Sequence, residues 1–227
     1  MRVIPSPYAG LVLPRVRGAA VVAISKVDTL ADTSDSTNYT FSGMALGAAA
    51  ADRRIAVAAV SRASGNRPIT GIDIAGIGGT QIVNDRNSSG GNTTNAAIFI
   101  AHVPSGTSGN IVVSHSASQL RCAITVYRLT GTAGTSPSNG FSAANNPSVS
   151  LDVPAGGAAL AISYTQANTT ATWSGLTKDT DDDAETTTSQ YSSAHDAFAS
   201  AATGLNVQCT WGSNSLVGFA AAAFSPA

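Results

Sequence analysis

Seven consecutive positions, Asp179-Thr180-Asp181-Asp182-Asp183-Ala184-Glu185, hold five of the thirteen acidic side chains in this sequence of 227 residues. Carboxylates at Asp179, Asp181 and Asp183 have the alternate spacing that opens a calcium loop. The turn glycine and the distal bidentate glutamate of such a loop are missing. The bland reading, a solvated loop opposite a polar loop at Asn84 to Asn95, is preferred over a calcium site, and no cofactor is expected. His102, His115 and His195 stand singly, with no metal-ligand spacing, and read as structural. Serines are abundant, yet none sits in a Gly-x-Ser-x-Gly elbow. Gly76-Ile77-Gly78-Gly79 is followed by the strand-like Thr80-Gln81-Ile82-Val83, whereas a phosphate loop needs a helix N-terminus there. A sugar site would need an exposed aromatic platform, and Trp173, before a Ser-Gly turn, is the residue placed to supply one. Trp211, at the end of a strand-like run, reads as core. No catalytic constellation emerges, and the chain is not expected to be an enzyme.

The elements that would position these groups are strands. Apolar residues make up 43% of the chain, charged residues 11% and aromatics 6%. That is too apolar for a disordered chain, and too poor in Leu, Glu and Lys for a helical one. The organising stretch is Asn95 to Leu129: Ala96–Val103, Asn110–His115 and Cys122–Leu129 are rich in β-branched and aromatic residues and bounded by Gly, Pro and Ser. A similar succession recurs from Ser189 to Phe224. Upstream, Ile55–Ser61 corresponds to Ala158–Tyr164, and His102 to His195. This predicts a diverged internal duplication, about 37–131 and 147–227, joined by a linker or irregular crossing strand at 131–147. Ile55 to Ser61 is apolar at every position but the last, which predicts a central strand approached from both sides. Ala45 to Asp52 reads as a wide turn, and Ile69 to Val83 as two short strands around a hairpin. Val149, Leu151 and Val153 alternate inward. Cys122 and Cys209 read as buried free thiols rather than a bridge.

Residues 1–67 carry eight Arg and Lys against four Asp, a net of +4, and the remainder four against nine, a net of −5. Such a chain can dock through either end. The basic side lacks the interleaved aromatics of a nucleic-acid surface, and no run approaches the length of a membrane helix. Neither DNA nor a membrane is an expected partner. Residues 1–18 carry Pro5, Pro7 and Pro14 and do not read as a signal peptide. They predict an extended assembly arm with Tyr8, Leu11, Val12 and Leu13 as apolar anchors between Arg15, Arg17 and Arg2. Residues 19–227 then form one domain, an all-β antiparallel sandwich, jelly-roll or Ig-like, built from the two repeats. Two tandem small sandwiches are the alternative.

Arg53-Arg54-Ile55-Ala56-Val57-Ala58-Ala59-Val60, Val153-Pro154-Ala155-Gly156-Gly157 and Thr107-Ser108-Gly109-Asn110-Ile111-Val112-Val113, in this Ala/Gly/Ser/Thr-rich setting, resemble virion proteins of tailed bacteriophages and prophages. The resemblance covers most of 37–227 in texture and strand pattern and assigns no functional residue. It implies a capsid decoration (cement) protein or head spike, a homo-oligomer bound to the major capsid protein or other virion proteins, in particles assembled in the host cytoplasm. The alternative it leaves is a tail-tip or tail-fibre module that binds host carbohydrate.

Overall fold

A computed structural model describes residues 20–185, 188–213 and 215–227. The arm at 1–18, with Tyr8, Leu11, Val12, Leu13, Arg15 and Arg17, lies outside the described residues. Within them every regular element is a strand. The first half runs β1 (Ala23–Asp32), β2 (Ser36–Ala45), β3 (Arg54–Ser64), β4 (Ile69–Ile74), β5 (Ile77–Gly78), β6 (Thr80–Ser89), β7 (Asn92–His102), β8 (Ser108–Gln119) and β9 (Arg121–Thr130). The second runs β10 (Asn139–Ser142), β11 (Ser148–Val153), β12 (Ala158–Thr165), β13 (Ala171–Ser174), β14 (Thr177–Glu185), β15 (Ser189–Ala197), β16 (Ala202–Trp211) and β17 (Gly218–Phe224).

All ladder pairs between these strands are antiparallel. They form four sheets, ordered β1-β9-β3-β7-β6, β2-β8-β4-β5, β10-β17-β12-β15-β14 and β11-β16-β13. Three apolar clusters separate these sheets into four layers. One, with Tyr39, Phe41, Val57 and Phe99, lies between the outer four-stranded sheet and the first five-stranded sheet. The central one joins the two five-stranded sheets through Ala56, Ala58, Ile98, Tyr127, Leu160, Ile162 and Ala222. The third, with Leu151, Val207, Trp211 and Phe219, lies under the outer three-stranded sheet. Four layers exceed the two of a single sandwich. The physical reason is that the five-stranded sheets are covered on both faces, so both faces of β3, β7, β12 and β17 must be apolar. Alanine is a poor strand former, yet β17 reads Gly-Phe-Ala-Ala-Ala-Ala-Phe and is buried throughout. Close approach of neighbours on both faces outweighs propensity there.

Strand for strand, β10-β17-β12-β15-β14 occupies the order of β1-β9-β3-β7-β6, and β11-β16-β13 that of β2-β8-β4. The ladders set the register between them. In the first half Thr80 pairs Ile100 and Gln81 pairs Phe99, and a bulge precedes Val83 opposite Ile98. In the second Thr177 pairs His195 and Lys178 pairs Ala194, and a bulge precedes Thr180 opposite Ser193. Thr80 therefore corresponds to Thr177, Ile82 to Asp179 and Ile100 to His195. Through β3 and β12, Ala56 corresponds to Leu160. Two sequence expectations shift accordingly. Ile55 corresponds to Ala159 rather than Ala158, and His102 falls two residues past the equivalent of His195. Because both faces of these strands are apolar, alternation cannot fix which residue points where. The face-to-face stacking of the central sheets is approximately twofold about β3 and β12: β1 lies against β14 on one side, and β10 lies against β6 on the other.

Two segments read as loops are strands. Asn84 to Asn95 is the β6–β7 hairpin, turning through Gly90 and Gly91, whose φ values of 57° and 79° fit a two-residue turn. The acidic run is β14, an edge strand, which tolerates charge on its open side. The 131–147 segment contains β10, paired to β17, with Phe141 packed on the central cluster. Between Ile69 and Val83 lie β4, β5 and the start of β6, one strand more than expected. Ala45 to Asp52 is non-helical, Leu151 and Val153 are buried, and Val149 is partly so. Cys122 and Cys209 are buried free thiols in different clusters on opposite sides of the central seam.

Candidate functional site

The seam between the two five-stranded sheets is apolar at its centre and polar at its ends. At one end β1, β9, β14 and β15 bring together Lys26, Tyr127, Asp179 and His195. The bulge before Thr180 turns Asp179 toward the seam, where the strand's ordinary pleat would alternate past it. His195 Nδ1 lies 2.7 and 2.8 Å from the two Asp179 carboxylate oxygens. The Tyr127 hydroxyl donates to Asp179 Oδ2 at 2.9 Å, and its ring meets the His195 ring edge-on at 5.5 Å. Burial first, and then the Asp179 carboxylate, hold the Tyr127 phenol well above its ordinary range. It stays protonated and serves as a donor. Lys26 Nζ donates to the Asp179 carbonyl at 3.0 Å and to Thr180 Oγ1 at 3.1 Å. At the equivalent end of the other half stand Ile82, Ile100 and Ala222, so this polar group belongs to one half alone.

At a second corner, Arg62 on β3 and Arg121 on β9 are direct ladder partners. Arg121 forms an ion pair with Glu185 at the end of β14. Burial lowers the Arg121 guanidinium below its ordinary value, and the Arg62 charge adds to this. Arg62 Nε and Arg121 Nε make no hydrogen bond among the described residues.

A third polar group lies in the outer layer of the first half. His115 Nε2 is 3.0 Å from Ser61 Oγ, and its Nδ1 is 3.3 Å from the Thr37 carbonyl. Asn95 Nδ2 donates to the same Ser61 Oγ at 3.0 Å and to the Arg67 carbonyl at 3.1 Å. Burial lowers the His115 pKa to about 4, so the ring is neutral. A Ser–His pair suggests a nucleophile, but Ser61 is 1% exposed and His115 4%. A substrate has no approach, and the pair acts as a buried polar tie between β3 and β8.

The three carboxylates whose alternate spacing resembles the opening of a calcium loop go to different partners. Asp179 faces His195, Asp181 accepts from Lys178 Nζ at 2.9 Å and from the Ala171 amide, and Asp183 accepts from Gln190 at 3.2 Å. Among the described residues no group of three His, Cys, Asp or Glu is placed to hold a metal ion. Trp173 rests against Phe219 with ring centres 5.7 Å apart, and its Nε1 donates to Ser192 Oγ at 2.8 Å. Sequence reasoning passed over Tyr127, Lys26, Arg62 and Arg121 because each sits in an otherwise apolar or unremarkable strand. Their partners lie 52 to 154 residues away along the chain.

The β6–β7 hairpin meets three segments of the second half around a cleft of about 320 Å³ lined by Asn87, Ser89, Asn92, Asn145, Gln166, Ser215 and Leu216. The register above makes Asn87 the counterpart of Glu185, and continued past the ends of β12 and β17 it sets Gln166 against Arg62 and Leu216 against Arg121. The cleft is thus the counterpart of the Arg62–Arg121–Glu185 corner, with two amides and a leucine where that corner has three charges. No family model, no curated protein and no solved structure matches the chain.

Proposed function

We propose that the chain is a non-enzymatic structural protein of a tailed-phage or prophage particle, bound to the capsid exterior as a decoration (cement) protein or head spike. The observation that carries this reading is how the buried polar side chains are used. Asp179, Tyr127, His195 and Lys26 tie one central sheet to the other, and His115 and Asn95 tie strands within a half. Side chains spent on fastening layers suit a rigid building block, and alanine-rich central strands suit dense packing. The chain is read as two diverged repeats in a jelly-roll or Ig-like arrangement. Equal strand order and the shared bulge in β6 and β14 support that reading.

The test is co-sedimentation of the purified chain with tailed particles stripped of it, with copy number read by densitometry. Hundreds of copies per particle, lost on deleting residues 1–18 with melting temperature unchanged, is the expected result. A handful of copies moves the protein to the tail tip. No association with particles sinks the proposal.

A further inference from the structure

The cleft between the β6–β7 hairpin and the second half is partly open, and its chemistry differs from that of the two charged groups at the seam, around Asp179 and around Arg121. Its side chains are neutral: four amides, Asn87, Asn92, Asn145 and Gln166, and two hydroxyls, Ser89 and Ser215, with Leu216 the one apolar contributor. Its frame is fixed. The Gln166 backbone N–H donates to the Ser215 carbonyl at 2.8 Å, and Thr94 Oγ1 to the Leu216 carbonyl at 3.0 Å. Asn87 Nδ2 donates to the Val217 carbonyl at 2.8 Å and to that of Ala143 at 3.3 Å. Leu216 is held at φ 47°, in the left-handed region that non-glycine residues rarely adopt. Backbone held in that region gathers at ligand-binding places.

A second observation points to an occupant. Gln166 lines the cleft, and its Nε2, shielded from solvent, makes no hydrogen bond among the described residues, a cost that a turn of the side-chain amide toward an occupant would relieve. Asn92, half-buried, and Asn145, exposed, also line the cleft, and their side-chain amides make no hydrogen bond among the described residues and stay available to a ligand. In the equivalent corner of the other half, the Arg121–Glu185 pair stands where Leu216 and Asn87 stand here. This corner is an opening at the low end of the size range of small-molecule sites.

We infer that this cleft binds a neutral, polyhydroxylated small molecule, a saccharide unit. Amides and serine hydroxyls each offer donors and acceptors side by side, and closely spaced sugar hydroxyls match that pattern. An anion or cation would lose its hydration without finding an opposite charge in the lining. An apolar ligand would find little but Leu216. The inference does not depend on the particle role and places sugar recognition away from Trp173.

The experiment is an NMR titration of the full chain with glucose, galactose, mannose and N-acetylglucosamine and their short oligomers. Sulfate and sialic acid serve as charged comparators. At least one neutral sugar should bind with millimolar or tighter affinity. Gln166→Leu and Asn145→Ala should each weaken that binding at least tenfold while leaving the melting temperature within a few degrees, and Trp173→Ala should leave binding intact. The idea is overturned if no neutral sugar shifts any resonance at high concentration. It is equally overturned if a charged comparator binds in preference, or if Trp173→Ala abolishes binding that both cleft variants retain.

Discussion

Asp179 accepts from His195 and from Tyr127 at once, and these three side chains come from β14, β15 and β9, on both sides of the central seam. The Tyr127–Asp179 bond is therefore a cross-sheet tie made by a carboxylate that is little exposed. Hydrogen bonds to charged groups contribute about 1.5–3 kcal/mol, and loss of the acceptor leaves the buried phenol without a partner. Asp179→Ala should destabilise the chain by about 2–3 kcal/mol in urea unfolding. Tyr127→Phe should cost less, because it removes the donor and leaves no buried polar atom of its own.

Arg62 and Arg121 oppose each other directly on adjacent strands, an arrangement that is unfavourable unless a carboxylate intervenes. Glu185→Gln removes that carboxylate. Because Glu185 is about a third exposed, solvent screening lowers the cost to about 1–2 kcal/mol. Replacing Arg121 and Glu185 together by Met and Leu should recover most of that loss. If Glu185→Gln proves neutral at low salt, the corner is not held by that pair.

Burial depresses the His115 pKa from 6.5 to about 4, so the neutral ring is the form the fold accepts. The unfolded chain takes up this proton near pH 6.5, and the folded chain only near pH 4. The stabilisation is fully present above pH 6.5 and is lost progressively as pH falls toward 4, by about 3 kcal/mol in total. Melting temperature followed from pH 7 to pH 4 should show this slope, and His115→Gln should flatten it.

Val57 and Ile162 are both 0% exposed, in the outer cluster of the first half and the central cluster respectively. Replacing either by Asp buries an unpaired charge and should cost several kcal/mol, enough to abolish soluble expression. Val57→Ala, which removes volume without charge, should still fold, with a loss of about 1–3 kcal/mol.

Strands covered on both faces were legible in the sequence. Ile55 to Ser61 is apolar nearly throughout, and that pattern survives as β3. The same property hid the register, since a one-residue slip along such a strand exchanges one set of apolar residues for another. The β6–β7 hairpin was not legible because its polarity has two sources. β6 is an edge strand, and Thr93, Thr94 and Asn95 are buried polar residues satisfied by Ser88, Leu216 and Ser61. β14 hid for the first of these reasons, its acids lying on a sheet edge. The polar groups of the seam could not be read at all, because no local spacing links Tyr127 to Asp179 or Arg121 to Glu185. Long-range pairing alone brings them together.

The near-twofold stacking of the two central sheets has one consequence for how the seam can vary. In an assembly of two identical chains, any substitution at such an interface appears at both symmetry-related corners, so a charge or an opening must be tolerated twice. Here both sides belong to one polypeptide, and each corner is encoded separately. One corner can hold Asp179 and His195 while its counterpart keeps Ile82 and Ile100. One can be closed by Arg121 and Glu185 while its counterpart stays open around Gln166. Covalent linkage turns a pair of obligatorily equal corners into independent ones.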